Sequence, residues 1–303
     1  MSGAASRGEL WRALGAVCDR AAPHARLLEA LGLPPDDAAA HTELFVLQLV
    51  PYASAYLSAD GMLGGEPADR VAGLWRVLGM VPPAEPDHLA SLLGLYAGLA
   101  DAGADPALGA AAAAAVSRVR GTILWEHLLP WVPAYLCRAA ELGGATQRGW
   151  AHLLWRALRA EAAALPSPST PPPAVREAPP ALAAEPDPRR VLAQVLAPGR
   201  SGVILTRADL ARGAAALGLG LRLGERRYAL QALLDQEPVA TIGWLAAEAG
   251  GFAARLERFG RALAGPIRFW TGRARGTQAR LLALHAAAGA GAGPAAPGPG
   301  RAS

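Results

Sequence analysis

A proline-rich stretch limits how this chain can fold more than any other feature of its sequence. Prolines recur between Leu165 and Pro188, and three stand in a row at Pro171–Pro173. Because proline lacks a backbone N–H and fixes φ, such a stretch is excluded from helix interiors and from central strands. We therefore predict a semi-stiff, partly polyproline II linker over residues 166–190.

This linker divides the chain into parts of typical domain size. Residues 1–165 predict a folded body, and residues 191–285 predict a smaller helical module. Residues 286–303 consist mainly of alanine, glycine and proline, a composition typical of a disordered tail.

The charge changes sign at the same boundary. Residues 1–165 hold 12 Arg against 16 Asp and Glu, a net of −4, whereas residues 166–303 hold 17 Arg against 9 acids, a net of +8. All basic residues are arginines, because the chain contains no lysine. An acidic body and a basic C-terminal part indicate two surfaces that meet different partners.

The spacing of apolar residues predicts an all-α fold. Leu89, Leu92, Leu93, Tyr96 and Leu99 lie on one helical stripe, and similar stripes recur through the body. No segment shows the sustained alternation of apolar and polar residues that is typical of strands. We expect about seven helices in the body, one of them opening at a proline, as prolines favour the first helical position.

The C-terminal module is predicted to be a small helical bundle. Thr206 and Asp209 have the spacing of a capping box, which marks a helix start. Glycines then indicate the end of this helix near Gly218 or Gly220. Further helices are predicted over Glu225–Gln236, Pro238–Glu248 and Phe252–Leu263.

Several protein classes are excluded by composition. Two cysteines, Cys18 and Cys137, are too few for a disulfide framework or a four-ligand zinc site. The most apolar run, Ala107–Val116, is much shorter than the roughly 20 residues of a membrane span. The N-terminus lacks the apolar core of a signal peptide. These features predict a soluble cytoplasmic protein that does not insert into a membrane.

Three stretches of the body are unusual for a plain helical bundle. They are Pro51 with the Ser54-Ala-Tyr56 sequence, the segment Glu85-Pro86-Asp87-His88, and the aromatic segment Trp125–Leu136 that contains His127 and Trp131. With these stretches in this order, the chain resembles the TorD/DmsD/NarJ family of molybdoenzyme maturation chaperones. The resemblance covers about half of the chain and does not reach the C-terminal module.

The resemblance implies a TorD-like helical bundle that acts by binding, without catalysis and without a cofactor of its own. The implied partner is the apo-form of a molybdopterin oxidoreductase and its twin-arginine signal peptide, held until the cofactor is inserted. Such a peptide needs an apolar groove between helices and carboxylates for its guanidinium groups. We predict eight binding residues, at the groove entrance, on the neighbouring loop and beneath the groove: Glu85, Asp87 and His88; Tyr52, Ser54 and Tyr56; and His127 and Trp131.

Simpler interpretations of these residues stay open. Asp87 near a helix start is favourable through the helix dipole alone. A metal site built from Glu85, His88 and His127, as in a metal-dependent hydrolase, lacks the usual ligand spacing, so no metal is predicted.

For the basic module the alternative is a nucleic-acid-binding regulator, because its helices have a loose helix-turn-helix pattern. We consider nucleic acid the weaker interpretation, since the turn over residues 218–224 is longer than that motif allows. Whether the protein is a monomer or a homodimer is not determined by the sequence.

Overall fold

The all-α prediction is confirmed. The computed structural model describes residues 5–19, 25–222, 224–261 and 263–291, and these ranges form sixteen α-helices and no strand. The extended pairing within them is an isolated bridge between Tyr52 and His88. No helix in these ranges is both long enough and apolar enough to cross a membrane.

Nine helices and two π-helical segments form the body. The helices are α1 Ala5–Asp19, α2 Ala25–Ala30, α3 Ala38–His41, α4 Ala53–Leu57, α5 Glu66–Val77, α6 Leu89–Ala102, α7 Ala110–Thr122, α8 Val132–Leu142 and α9 Ala145–Ala164, and the π-helical segments are Thr42–Gln48 and Ile123–Leu128. Helix α1 packs along α6, and α8 packs along α9. Trp11 and Tyr96 meet edge to face between α1 and α6, with ring centroids 4.9 Å apart. The buried Trp11 thus contributes to the core between α1 and α6.

Helix α6 begins at Leu89 rather than at Pro86. His88 is its N-cap, and the Nδ1 atom of His88 accepts a hydrogen bond from the amide of Ala90. The start of α6 pairs with the segment before α4, because the amide of Leu89 donates to the carbonyl of Pro51 at 2.8 Å. Pro86 lies instead in a turn, closed by a hydrogen bond from the amide of His88 to the carbonyl of Glu85 at 3.3 Å, that leads into the helix.

The linker lies against the rest of the molecule. It contains the short helix α10 Pro173–Arg176 and a 3-10 turn over Leu182–Ala184. Leu182 is fully buried, and the turn packs against the C-terminal helix of the chain. Glu177 forms an ion pair with Arg70 of α5. The prolines leave only short helical turns here, and an apolar anchor and an ion pair attach the segment to the fold.

Six helices follow the linker: α11 Pro188–Gln194, α12 Pro198–Ser201, α13 Arg207–Leu217, α14 Arg226–Gln236, α15 Pro238–Gly260 and α16 Ala264–Gly291. The predicted capping box of Thr206 and Asp209 is confirmed at the start of α13. Helix α15 continues through the predicted break near Gly250. A Cβ at Gly250 would lie 2.2 Å from the side chain of Gln278, so glycine allows α16 to approach closely.

Helix α16 extends into the segment predicted to be a disordered tail. Its last residue is Gly291, and residues 292–303 of that prediction lie outside the described part of the chain. The alanine-rich composition that indicated disorder is also a strong helix former. Packing of α16 along α15 then stabilises the helix.

Apolar side chains from both sides of the linker form one continuous core. The indole of Trp270 on α16 donates to the carbonyl of Pro130 at 2.7 Å, and the indole of Trp155 on α9 donates to the carbonyl of Phe259. Arg138 on α8 and Asp209 on α13 form an ion pair that is buried on both sides. The linker thus marks a change of charge along the chain, while the hydrophobic core runs across it.

Candidate functional site

Two of the predicted stretches meet at the start of α6. The carboxylate of Asp87 accepts a hydrogen bond from the amide of Ser54 at 2.9 Å, and its carbonyl accepts one from the amide of Ala53 at 3.1 Å. Because the first amides of a helix have no partner inside it, Asp87 satisfies the N-terminus of α4 from a segment 33 residues away. Asp87 therefore positions the loop and helix that contain Ser54.

His88, Tyr52 and Glu85 extend this junction toward the surface. The rings of His88 and Tyr52 meet edge to face, with centroids 4.8 Å apart. Burial lowers the pKa of His88, so its imidazole is neutral at pH 7 and accepts the capping bond from Ala90. Burial and the adjacent carboxylate of Glu85 raise the pKa of the Tyr52 phenol. Glu85 itself is exposed.

The entrance that the sequence predicted at Asp87 and His88 is closed in this structure. Asp87 is 4% exposed and His88 is 6% exposed. Since the Asp87 carboxylate already binds a backbone amide, it is not presented to an arriving guanidinium group. Neither residue lines the two cavities described below. Asp87 and His88 therefore affect binding by positioning the loop that contains Ser54.

The other side of that loop is built on a buried aromatic stack. Tyr56 stacks on Trp131 with ring centroids 5.5 Å apart and planes within 6° of parallel. The Tyr56 hydroxyl donates to the carbonyl of Val50, and the Trp131 indole donates to the carbonyl of His127. The Ser54 hydroxyl accepts from the amide of Gly64 at 3.0 Å. These contacts fix the loop from below, as expected for residues that pack beneath a groove.

A first cavity of about 520 Å³, which we call the acidic cavity, opens beside this loop. Its charged lining consists of Asp60, Glu66, Glu126, Glu177, Arg70 and Arg200, with His127 among its neutral lining residues. Arg70 forms ion pairs with Glu66 and Glu177. Asp60 and Glu126 have no ion-pair partner within the described residues. Asp60 accepts a hydrogen bond from the amide of Met62 at 3.0 Å, but unlike Asp87 it is exposed, so its other oxygen and the Glu126 carboxylate can bind an external cation.

His127 lines the acidic cavity in its neutral form. The imidazole is 6% exposed, and burial together with the nearby Arg70 lowers its pKa to about 4. The unfolded chain has the ordinary histidine pKa of 6.5, so it binds more protons than the folded chain between pH 6.5 and pH 4. His127 is consequently a neutral lining residue at pH 7 and makes no charged pair with Glu126.

We expect acidification to destabilise the protein through His127. As the pH falls from 6.5 to 4, this group should remove about 2–3 kcal/mol from the free energy of unfolding. The variant His127→Gln should lose less stability over this interval, measured by urea unfolding at several pH values. The exposed His152, replaced in the same way, provides the control and should leave the pH dependence unchanged. Identical pH profiles for the wild type and His127→Gln would contradict this assignment.

A second cavity of about 940 Å³, which we call the apolar groove, adjoins the acidic cavity. Its rim contains four exposed apolar side chains, which are 57%, 45%, 65% and 56% exposed: Val46, Leu47, Met62 and Leu63. Residues 59, 60, 62 and 63 line both cavities, so this loop is a wall between them. The opposite side of the groove comes from α11 to α14.

Close packing of α12 on this loop makes the arrangement possible. A Cβ on Gly199 would lie 2.6 Å from the carbonyl oxygen of Ser58, which only glycine avoids. The loop itself turns through Gly61 and Gly64, both with positive φ, a conformation that favours glycine. These glycines are typical of a loop. The exposed apolar side chains of the loop and its contacts with the C-terminal helices depend on tertiary structure and could not be predicted from them.

The described residues contain no group of three or more His, Cys, Asp or Glu side chains that could hold a metal ion. The buried thiols of Cys18 and Cys137 are free. Burial raises the pKa of the Cys137 thiol to about 12, so it is not a nucleophile at neutral pH.

Residues 12–136 match the family model described as nitrate reductase delta subunit. No curated protein and no solved structure matches the chain. The matched residues contain Tyr52, Ser54, Tyr56, Glu85, Asp87, His88, His127 and Trp131. This family consists of chaperones and not of catalytic subunits. Residues 12–136 are thus similar to the nitrate reductase delta subunit family, which comprises NarJ/TorD-like redox-enzyme maturation chaperones.

Proposed function

We propose that this protein is a cytoplasmic chaperone that binds the twin-arginine signal peptide and the apo-form of a molybdopterin oxidoreductase before export. The match of residues 12–136 to the chaperone family supports a role in redox-enzyme maturation. One observation carries the finer proposal: the acidic cavity and the apolar groove share a wall, formed by residues 59, 60, 62 and 63. A peptide whose cationic segment precedes an apolar segment matches that order of surfaces.

The acidic cavity suits the arginine pair of such a peptide. Guanidinium groups bind carboxylates in bidentate geometry, and these hydrogen bonds are stronger than those between neutral groups. Asp60 is exposed and Glu126 is half-buried, so both are reachable without unfolding. The neutral His127 adds no positive charge that would repel a cation.

The apolar groove suits the segment that follows the arginines. Exposed apolar side chains grouped on one surface mark an interaction site in soluble proteins. Met62 and Leu63 reach out from the shared wall, and Val46 and Leu47 lie on the π-helical segment Thr42–Gln48. An apolar helix or extended segment placed here would cover all four side chains.

The residues predicted from the sequence take supporting roles in this proposal. Asp87 and His88, with Ser54 and Tyr52, fix the junction on which the shared wall rests. Tyr56 and Trp131 form the packed layer beneath the apolar groove, and His127 lies in the acidic cavity. Glu85 remains an exposed carboxylate at the junction, outside both cavity linings.

The proposal is tested with the full chain and a fluorescent synthetic peptide that has two consecutive arginines before an apolar segment. We expect the double variant Asp60→Asn and Glu126→Gln to weaken binding about tenfold in fluorescence anisotropy, because two charge pairs are lost. The matched control replaces the exposed Glu9 and Glu29 by glutamine and should bind as the wild type does.

A peptide with both arginines replaced by glutamine should bind the wild type and the double variant equally. The proposal fails if the wild type does not bind the arginine peptide, or binds the glutamine peptide as tightly. Asp87→Asn should weaken binding while preserving the preference for arginine, because Asp87 positions the loop without touching the peptide.

A further inference from the structure

Four arginines line the apolar groove on the side formed by the C-terminal helices. They are Arg200, Arg207, Arg226 and Arg227. The carboxylates in the same lining are Asp60, on the shared wall, and Glu225 at the start of α14. Arg200 lines both cavities, and beyond it Arg207, Arg226 and Arg227 outnumber Glu225, so this side of the groove is positively charged.

These arginines differ from the paired arginines elsewhere in the fold. Within the described residues, none of the four has a carboxylate within ion-pair distance, whereas Arg70, Arg120 and Arg138 each have at least one. Arg226 is half-buried, and its guanidinium donates to the carbonyl of Leu205 at 2.6 Å. Burial lowers its pKa. A partly desolvated cation without a counter-ion is costly, and an arriving anion would remove that cost.

We infer that this side of the groove recognises carboxylates on the C-terminal flank of the apolar segment that the groove binds. The inference rests on the proposed function for the identity of the peptide and adds its direction and a second charged determinant. The N-terminal cationic part lies in the acidic cavity, and acidic side chains beyond the apolar segment bind Arg207, Arg226 and Arg227.

The helix dipole acts in the same direction. If the apolar segment is helical, its N-terminus carries partial positive charge and its C-terminus partial negative charge. The carboxylates of the acidic cavity then face the positive end, and the three arginines face the negative end. A peptide placed in the reverse direction would meet like charges at both ends.

The lining also selects the class of occupant. Val46, Leu47, Leu63 and Ile204 stand in the same groove as the arginines. A nucleic-acid backbone would neutralise the arginines but would leave these apolar side chains without contact. An apolar peptide with acidic residues satisfies both kinds of lining, so charge complementarity and burial of apolar area favour it.

The test uses the full chain and three fluorescent peptides that share one arginine-free apolar sequence. They end in two glutamates, two glutamines or two lysines, with an amidated C-terminus. The glutamate peptide should bind about tenfold more tightly than the glutamine peptide, and the lysine peptide should bind most weakly. The preference for glutamate should shrink as the salt concentration rises.

The double variant Arg207→Gln and Arg227→Gln should reduce this preference to less than about twofold. Both side chains are exposed, so the substitutions leave the core intact. The matched control is the double variant Arg189→Gln and Arg258→Gln. Both arginines are exposed and lie outside the groove lining, so this variant should keep the preference for the glutamate peptide. Equal loss in the control variant would assign the effect to net charge and overturn the inference.

Other outcomes separate this inference from the proposed function. Equal affinities for the glutamate and glutamine peptides overturn the inference, and the proposed function stands if the arginine peptide still binds. If neither the apolar peptides nor the arginine peptide binds, both are overturned. Tight, salt-dependent binding of duplex DNA that Arg207→Gln and Arg227→Gln abolish would support the nucleic-acid alternative and also overturn the inference.

Discussion

Replacing Arg138 by leucine should lower the free energy of unfolding by about 3–5 kcal/mol, because it removes one partner of a buried ion pair. The side chains of Arg138 and Asp209 are each 1% exposed. Without Arg138, Asp209 keeps the bonds from Thr206 and a half-exposed partner, Arg212. Much of the cost is therefore the burial of a carboxylate that has lost its closest cation.

The pH dependence provides an independent check on this prediction. Burial acts to raise the pKa of Asp209, but Arg138 and the bonds from Thr206 together hold it below its ordinary value of 3.8. A carboxyl group with a depressed pKa contributes stability above its unfolded pKa and loses that contribution as the pH falls. The difference between the wild type and Arg138→Leu should consequently be largest near neutral pH and shrink in acid.

Urea unfolding followed by far-ultraviolet circular dichroism measures this effect. A double-mutant cycle with Asp209→Leu should show that the paired substitution costs less than the sum of the single substitutions, because neither charge is then left alone. The exposed Arg258→Leu serves as control. A change below about 1 kcal/mol in Arg138→Leu would show that solvent reaches this pair.

Replacing Trp270 by alanine should cost about 3–5 kcal/mol, as large-to-small changes at buried aromatic positions do. Trp270 is fully buried, and its indole donates to the carbonyl of Pro130 across the linker. Because the core runs through both halves, we also expect the body and the C-terminal helices to unfold in one transition. Trp270→Phe should recover most of the packing but not the hydrogen bond.

The informative comparison for this variant is Tyr228→Ala. Tyr228 is also aromatic and lies in the C-terminal part, but it is 55% exposed, so its loss should cost less than about 0.5 kcal/mol. If Trp270→Ala instead produces two separate transitions, or no loss of stability, the body does not depend on α16.

Local signals in the sequence predicted the elements well. The apolar stripe of α6 and the capping box at Thr206 depend on residues within a few positions of one another, and both have the predicted character. Long-range contacts were not visible in this way. The burial of Leu182 in the linker and the single helix through Gly250 both depend on α16, a helix that the sequence left partly in a tail.

The candidate site shows the same division. The motifs indicated a loop that lies beside both cavities, where Ser54, Tyr56 and His127 border or support the linings. The motifs did not indicate which surface of this loop is accessible to a ligand. An acidic residue at a helix start is equally suited to a ligand and to a backbone amide, and here Asp87 binds the amide of Ser54. Arg200, the first arginine of the groove, lies more than 130 residues after Leu63 in the sequence. No local pattern therefore linked these arginines to the loop.

The wall of residues 59, 60, 62 and 63 has a thermodynamic consequence of its own. It borders two separate spaces, so any displacement that widens one of them narrows the other. A ligand that displaces the wall would therefore alter the affinity of the opposite cavity, and by linkage the two effects are equal. If one peptide occupies both cavities, as we propose, binding of its two ends is a single coupled event.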